Sequence, residues 1–357
     1  MVAKGKIVGQ TLRRRRIGRT QLQVSELGLG SASLGNLYRA ISDEEARATL
    51  TSATSAGIAY VDTAPFYGFG LSERRVGDAL RGHRNIVIST KVGRLLRPTD
   101  EVLDDRERCG FRSSMPFYPA YDYTYDGVMR SWEASLQRLG LPRIDLLYVH
   151  DIGRATHGEL HAEKFRELTQ GGGLQALSQL RSDGAISAVG IGVNEIEICL
   201  DVLREFDLDV VLLAGRYTLL EQDALDELFP RCAIRGTSIV IGGPYNSGIL
   251  ATGTRGRFPM HFNYEAAPPS VVERVRRIEA VCDRHEVPLA AAALQFPLAH
   301  PQVASVIPGV GHASRIAQTL EWYRLPIPGE FWKQLQDDEL IRSDAPTPSQ
   351  SLQHAAG

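Results

Sequence analysis

An α/β architecture, and within that class a (β/α)8 TIM barrel with long βα loops at its C-terminal rim, is what this sequence predicts. Short apolar runs alternate with segments of helical periodicity along nearly all of the 357 residues. The runs are apolar at consecutive positions, as parallel strands buried beneath helices must be. Seven of them end on a residue able to do chemistry or on a tight turn: Asp62, Lys91, His150, Asn194, Tyr217, Gly242-Gly243 and Pro308-Gly309. In a closed barrel such ends converge on one rim, where active sites are built.

The elements follow in order. Residues 24–34 are strand-like. Ser42-Asp43-Glu44-Glu45 supplies an N-cap and first-turn acids, and opens an Ala-rich helix to about Gly57. A strand at 58–61 follows, then a helix opened by Ser72-Glu73, then a strand at 86–90. Val128, Trp132, Leu136 and Leu139 recur at helical spacing over 126–139. Strands at 144–149, 186–193, 210–214, 238–241 and 303–307 alternate with helices near 174–183, 195–205, 224–235, 271–285 and 289–300, and a last helix starts near Ser314. An open doubly wound sheet would want a Gly-rich dinucleotide loop after the first strand. Leu27-Gly28-Leu29-Gly30 continues into Ser31-Ala32-Ser33 and lacks the third glycine. Residues 1–343 are expected to form one domain. The Pro/Ser/Gln-rich segment 344–357 is expected to be a disordered tail.

Three insertions interrupt the rhythm, at 93–125, 151–173 and 244–269. All three fall on the C-terminal rim, where barrels build substrate pockets. The first carries Phe111, Phe117, Tyr118, Tyr121, Tyr123 and Tyr125; most should pack within the loop, and one or two should face a ligand.

The bulk numbers exclude several classes. A formal net charge of −2 gives no ground for a nucleic-acid or acidic-membrane partner. The arginines at 13–16 are too short a run to count as a basic patch and are expected to be solvated. The four cysteines show neither paired spacing nor a zinc pattern, so reduced thiols and no metal are expected. No apolar run is long enough to span a bilayer. A cytoplasmic location is the resulting expectation.

Asp62, Tyr67, Lys91 and His150 form the candidate catalytic group. A free tyrosine titrates near pH 10, too high for a base at neutral pH. An ammonium beside the phenol lowers that value, and Lys91 is placed to supply it. Asp62 would keep Lys91 charged and oriented. His150 would hydrogen-bond a substrate oxygen from the other side. Such a set suits proton transfer at an oxygen while hydride moves at the attached carbon. Each residue alone has an ordinary structural reading as salt-bridge partner, loop aromatic or core histidine; three consecutive strand ends carry them together.

The segments Asp62-Thr63-Ala64-Pro65-Phe66-Tyr67-Gly68, Ser89-Thr90-Lys91 and Asp145-Leu146-Leu147-Tyr148-Val149-His150 resemble the aldo-keto reductases, as does Arg130-Ser131-Trp132-Glu133-Ala134-Ser135-Leu136 before the histidine strand. The resemblance runs from about Gly18 to Trp322. It implies a nicotinamide cofactor, NAD or NADP, lying across the rim, with Asn194 on the carboxamide and Tyr217 stacked on the ring. Ile307-Pro308-Gly309-Val310-Gly311-His312-Ala313-Ser314-Arg315 resembles the family's adenosine-end loop. That places Pro308, Gly309 and Arg315 by the cofactor, with a helix N-terminus suited to phosphate. NADP-preferring members carry a basic residue and a hydroxyl after the Ile-Pro pair. Gly309 and Val310 offer neither, which favours NAD or dual use.

Within the family, Gly192-Val193-Asn194-Glu195 and Gly242-Gly243-Pro244-Tyr245-Asn246-Ser247-Gly248 resemble the group that oxidises aldoses of the L-fucose and D-threo type at C1, and pyridoxal at its 4-position. Val193 stands where more typical members have serine. The implied reaction turns an aldose into a lactone, with Tyr67 as general acid–base. Pyridoxal oxidation and general aldehyde or ketone reduction are alternatives. A non-enzymatic binding protein like the channel-associated β subunits is the competing class.

Overall fold

The protein's computed structural model describes residues 12–100, 104–256 and 260–348. Its centre is a sheet of eight parallel strands: β1 (Leu29–Gly30), β2 (Tyr60–Asp62), β3 (Val87–Val92), β4 (Leu146–His150), β5 (Ala188–Val193), β6 (Val210–Ala214), β7 (Ser238–Gly242) and β8 (Val303–Ile307). Each strand pairs with its neighbour in sequence. Parallel bridges Leu27↔Val306 and Gly30↔Gly309 join first strand to last, so the sheet closes into the expected (β/α)8 barrel.

Side chains alternate in and out along each strand. One set fills the barrel: Tyr60, Val87, Leu146, Tyr148, Ala188, Val210, Leu212, Val240, Ala304 and Ile307. The other set packs outward under the helices. Tyr148 lies opposite Gly190 in register, and a Cβ on Gly190 would come within 2.7 Å of the Tyr148 ring. Only glycine there lets the phenol occupy the barrel centre.

Helices Asp43–Ser55, Leu71–Leu80, Tyr125–Leu139, Gly173–Ser182, Ile196–Glu205, Leu228–Arg235, Pro269–Arg284, Leu289–Gln295 and Ala313–Arg324 lie along the chain between or after the strands. The first carries the expected capping box between Ser42 and Glu45. The N-cap before Ile196–Glu205 is Glu195, so Asn194 is not spent as a cap.

Several boundaries differ from the sequence reading. The 24–34 run is not one strand. Gln23–Ser25 pairs antiparallel with Arg14–Arg16, Leu29–Gly30 joins the barrel, and Ala32–Gly35 is a 3-10 turn. Arg13, Arg14 and Arg16 are exposed, as expected for a solvated run, but Arg15 is structural. Arg15 donates to Glu26 at 2.6 Å and to the carbonyls of Val303 and Leu298 at 2.7 and 3.0 Å. The hairpin caps the barrel, and its Ile17 and Val24 enter the interior core. Which two separated segments pair into a hairpin is invisible to periodicity. The predicted helix 289–300 ends at Gln295, where Pro297 tightens the chain into a 3-10 turn. A helix at Gly329–Asp337, burying Phe331 and Trp332, was not anticipated. The expected disordered tail begins ordered: Ala345 is buried and its carbonyl accepts from Gln336 Nε2 at 3.2 Å. Residues 349–357, and 1–11 of the expected domain, lie outside the described residues.

Candidate active site

Strand register assembles the site. Asp62 lies opposite Ser89, and Lys91 lies opposite Tyr148. Because side chains repeat every second residue, Tyr60 with Asp62, Ser89 with Lys91, and Tyr148 with His150 point into the barrel together. Tyr60 and Tyr148 form a lower layer, their hydroxyls 3.0 Å apart, with Tyr60 also 3.1 Å from Ser89 Oγ. Above them, Ser89 Oγ donates to Asp62 Oδ1 at 2.7 Å and Lys91 Nζ donates to Asp62 Oδ2 at 2.6 Å. Lys91 also donates to the Thr63 carbonyl at 2.9 Å. Both charges are almost completely buried, so each needs the other. Burial pushes the Asp62 carboxyl up, and Lys91 and Ser89 oppose that shift.

Tyr67 comes from the loop after β2. Its ring stands 4.7 Å from Lys91 Nζ and 6.0 Å from the His150 ring, nearly perpendicular to it. The ammonium is committed to Asp62 and the Thr63 carbonyl and makes no hydrogen bond to the Tyr67 hydroxyl among the described residues. Burial dominates, aided by Asp62, and pushes the phenol well above its ordinary value. This corrects the expectation that Lys91 leaves Tyr67 with a lowered pKa: the resting phenol is protonated. His150 is held well below its usual range by burial, then by Arg94 and Lys91, so it is neutral. Its Nδ1 is buried without a partner, which leaves Nε2 as the nitrogen available to a ligand.

Tyr67, Lys91 and His150 border a cavity of about 450 Å³, with Asp62 beneath it. Its walls include Phe66, Phe111, Tyr38 and Tyr264, with Asp151 and Asn194 as polar points and Gly192, Leu212 and Ala214 on the side of β5 and β6. Asp151 pairs with the buried Arg94, whose guanidinium lies 4.0 Å over the Phe66 ring. A second cavity, about 270 Å³, is lined by Ser33, Arg39, Tyr245, Gly309, Val310, His312, Arg315 and Trp322. Leu37 borders both, so the two lie on either side of a shared wall.

Asp62, Tyr67, Lys91 and His150 thus converge, and Asn194 joins them. Gly309 and Arg315 sit together at the second cavity. Pro308 contributes its carbonyl to barrel closure, accepting from Gly30 N at 3.1 Å. Tyr217 does not join either cavity, correcting the expectation that it stacks on a nicotinamide ring. It is fully buried among Phe229, Phe296 and His300, because the chain turns back into the helical layer after Gly215. The sequence reading missed Arg94, Asp151, Arg39 and Tyr264. Asp151 had a signal, being the charged residue directly after His150. Arg94 and Tyr264 had none, since loop folding alone brings them in.

The sequence profile of the Aldo/keto reductase family matches residues 26–338. The chain belongs to that family. It is an oxidoreductase. It is 46% identical to pyridoxal 4-dehydrogenase of Microbacterium luteolum, covering 92% of this chain and 98% of that one. It is 41% identical to D-threo-aldose 1-dehydrogenase of a Pseudomonas species, covering 92% and 96% respectively. Among solved structures, the holo form of aldo-keto reductase AKR11C1 from Bacillus halodurans superposes with a TM-score of 0.69 at 26% identity, covering 95% of this chain and 99% of that one.

Aldo-keto reductases use NAD(P)H, and the residues here fit such a cofactor. The two neighbouring cavities lie at the two places where the nicotinamide and adenosine ends are expected. A Cβ on Gly309 would sit 3.3 Å from Ser33 Oγ and narrow the second. The Tyr245 hydroxyl, on the second cavity, is buried without a protein partner. The N-terminus of helix Ala313–Arg324 is already used: His312 Nδ1 accepts from Ser314 N at 3.2 Å. Phosphate on that amide, expected from the sequence, would have to displace the imidazole. Among the described residues no helix is long and apolar enough to cross a membrane.

Proposed function

We propose that this reductase-family enzyme oxidises the anomeric carbinol of an aldose, of the L-fucose or D-threo type, to a lactone. The observation that carries the reading is the Tyr67 phenol and His150 at one cavity, above the buried Lys91–Asp62 pair and beside the polar wall at Asp151. The 41% relative named for D-threo-aldose supports it. When bound, the nicotinamide accepts the hydride from C1.

The chain's own residues manage the proton and the oxygen. Tyr67 accepts the carbinol proton as the oxidation proceeds and returns it in the reductive direction. Neutral His150 donates from Nε2 to the same oxygen, since a neutral imidazole carries one N–H. Lys91, 4.7 Å from the Tyr67 ring, offsets the Asp62 charge that otherwise disfavours the phenolate as it forms. Phe66, Phe111 and Tyr38 exclude water from the reacting carbon.

NAD is favoured over NADP, or both serve. Gly309 and Val310 bring no charge to the second cavity, while Arg39 and Arg315 remain as cations able to meet a 2′-phosphate.

A second reading is pyridoxal 4-dehydrogenase. The aromatic walls of the cavity suit a flat pyridine ring, and the 46% relative carries that name. Pyridoxal reacts through its hemiacetal, whose carbinol is equivalent. Steady-state oxidation of L-fucose, D-arabinose and pyridoxal with NAD and with NADP, followed by absorbance of the reduced cofactor, tests both. The aldose reading predicts higher kcat/KM for a sugar; higher kcat/KM for pyridoxal overturns it in favour of the second.

A further inference from the structure

We infer that Asp151 is a specificity residue that accepts a hydrogen bond from the hydroxyl next to the carbinol being oxidised, so that the enzyme selects 2-hydroxylated aldoses. The inference rests on the aldose reading and deepens it. Asp151 follows His150 and has φ of +44°, a left-handed conformation uncommon for a residue with a side chain. Such backbone persists where surrounding structure holds it. It turns the carboxylate back over the rim, so that Oδ2 lies 3.4 Å from His150 Nε2. Oδ2 is held by Arg94. Oδ1 has no hydrogen-bond partner among the described residues, and Asp151 lines the cavity.

The geometry then follows from the substrate. Neighbouring oxygens of a gauche vicinal diol lie about one hydrogen-bond length apart. An oxygen held by His150 Nε2 and Tyr67 therefore brings its neighbouring hydroxyl to the carboxylate beside that nitrogen. Burial pushes the Asp151 carboxyl up, Arg94 and then Lys91 oppose that shift, and the Arg94 contact fixes the position of Oδ2. Arg94 is itself buried and stacked on Phe66, so it cannot swing away. A half-buried carboxylate that only accepts discriminates against any substrate that covers it without offering the donor, because its lone pairs are then unpaired.

The test removes the interaction from both sides. The substrate partner is deleted by comparing L-fucose with its 2-deoxy analogue. The protein partner is deleted in Asp151→Ala and, because a lone buried Arg94 threatens folding, also in the Arg94→Met/Asp151→Ala double variant. The ratio of kcat/KM values for the two sugars is the readout. We expect roughly ten- to a hundredfold preference for L-fucose in the wild type, the range of one charge-assisted hydrogen bond, and a ratio near one in either variant that folds. A wild-type ratio near one, or a large ratio that survives in the variants, overturns the inference and leaves the aldose reading intact. Failure of the wild type to oxidise any aldose while it oxidises pyridoxal removes the aldose reading and this inference with it.

Discussion

Replacing Lys91 with Met tests how the site is held together. The change keeps the length of the stem and removes the ammonium. Asp62, 1% exposed, then keeps only Ser89 as a partner for its carboxylate. Breaking a buried pair from one side costs about 3–5 kcal/mol. At roughly 2.1 cal/mol/K per residue, a chain of this length loses about 1.3 °C of Tm for each kcal/mol, which gives a drop of about 4–7 °C. The loss should depend on pH with a definite sign. Burial raises the Asp62 pKa in the folded protein and Lys91 lowers it. Without Lys91 it rises further above the unfolded value of about 3.9. A group with a raised folded pKa contributes stability that is present below its unfolded pKa and lost as pH climbs through the folded one. The variant should therefore fall further behind the wild type at about pH 8 than at about pH 5. Adding Asp62→Asn should recover part of the loss, since no buried charge remains. Thermal and urea unfolding of the wild type, the single and the double variants at both pH values measure this. A penalty below about 1 kcal/mol, or one equal at both pH values, would refute the reasoning.

Other outcomes follow from the same geometry. Tyr67→Phe should lower kcat by ~10²–10⁴ without unfolding the protein, because the hydroxyl makes no hydrogen bond to the described residues; retention of more than about a tenth of the activity would remove Tyr67 from its role. Oxidation by the wild type should speed up steadily from about pH 7 to about pH 9, because the phenol is raised and His150 is already neutral; a plateau reached below that window in the pH–rate profile would contradict a raised phenol. Tyr217→Phe should leave the KM for cofactor unchanged and not lower Tm, since that hydroxyl is buried without a protein partner; a several-fold rise in KM would restore it as a cofactor contact. Gly309→Lys with Val310→Ser should move kcat/KM toward NADP, and an unchanged NAD:NADP ratio would place the 2′ position away from that turn.

The sequence by itself determined the barrel and the order of its strands. The βα alternation and the doubly apolar runs are local properties of the chain, fixed by period and burial. It also determined that Asp62, Lys91 and His150 share a rim, because each ends a strand and parallel strands align their C-terminal ends. Tyr67 was legible from its distance to Asp62 along one short loop. Whether a side chain points into the barrel depends on register, which tertiary pairing sets. That is why Tyr60, Ser89 and Tyr148 emerged as the support of the site only in three dimensions, and why Arg15 turned out to clamp the barrel base. Tyr217 shows the same limit from the other side: a strand end says where the chain reaches the rim, not which way it turns afterwards. Asp151, Tyr38 and Tyr264 reach the cavity from separate loops, and Arg94 reaches Asp151 behind it. Their meeting is decided by long-range packing and by left-handed backbone at Tyr38, Asp151 and Tyr264, and no local pattern encodes it. The proton chemistry divides in the same way. Residue types named Tyr67 and Lys91, but the depth of burial decided that the phenol rests protonated and that the lysine's charge is spent first on Asp62.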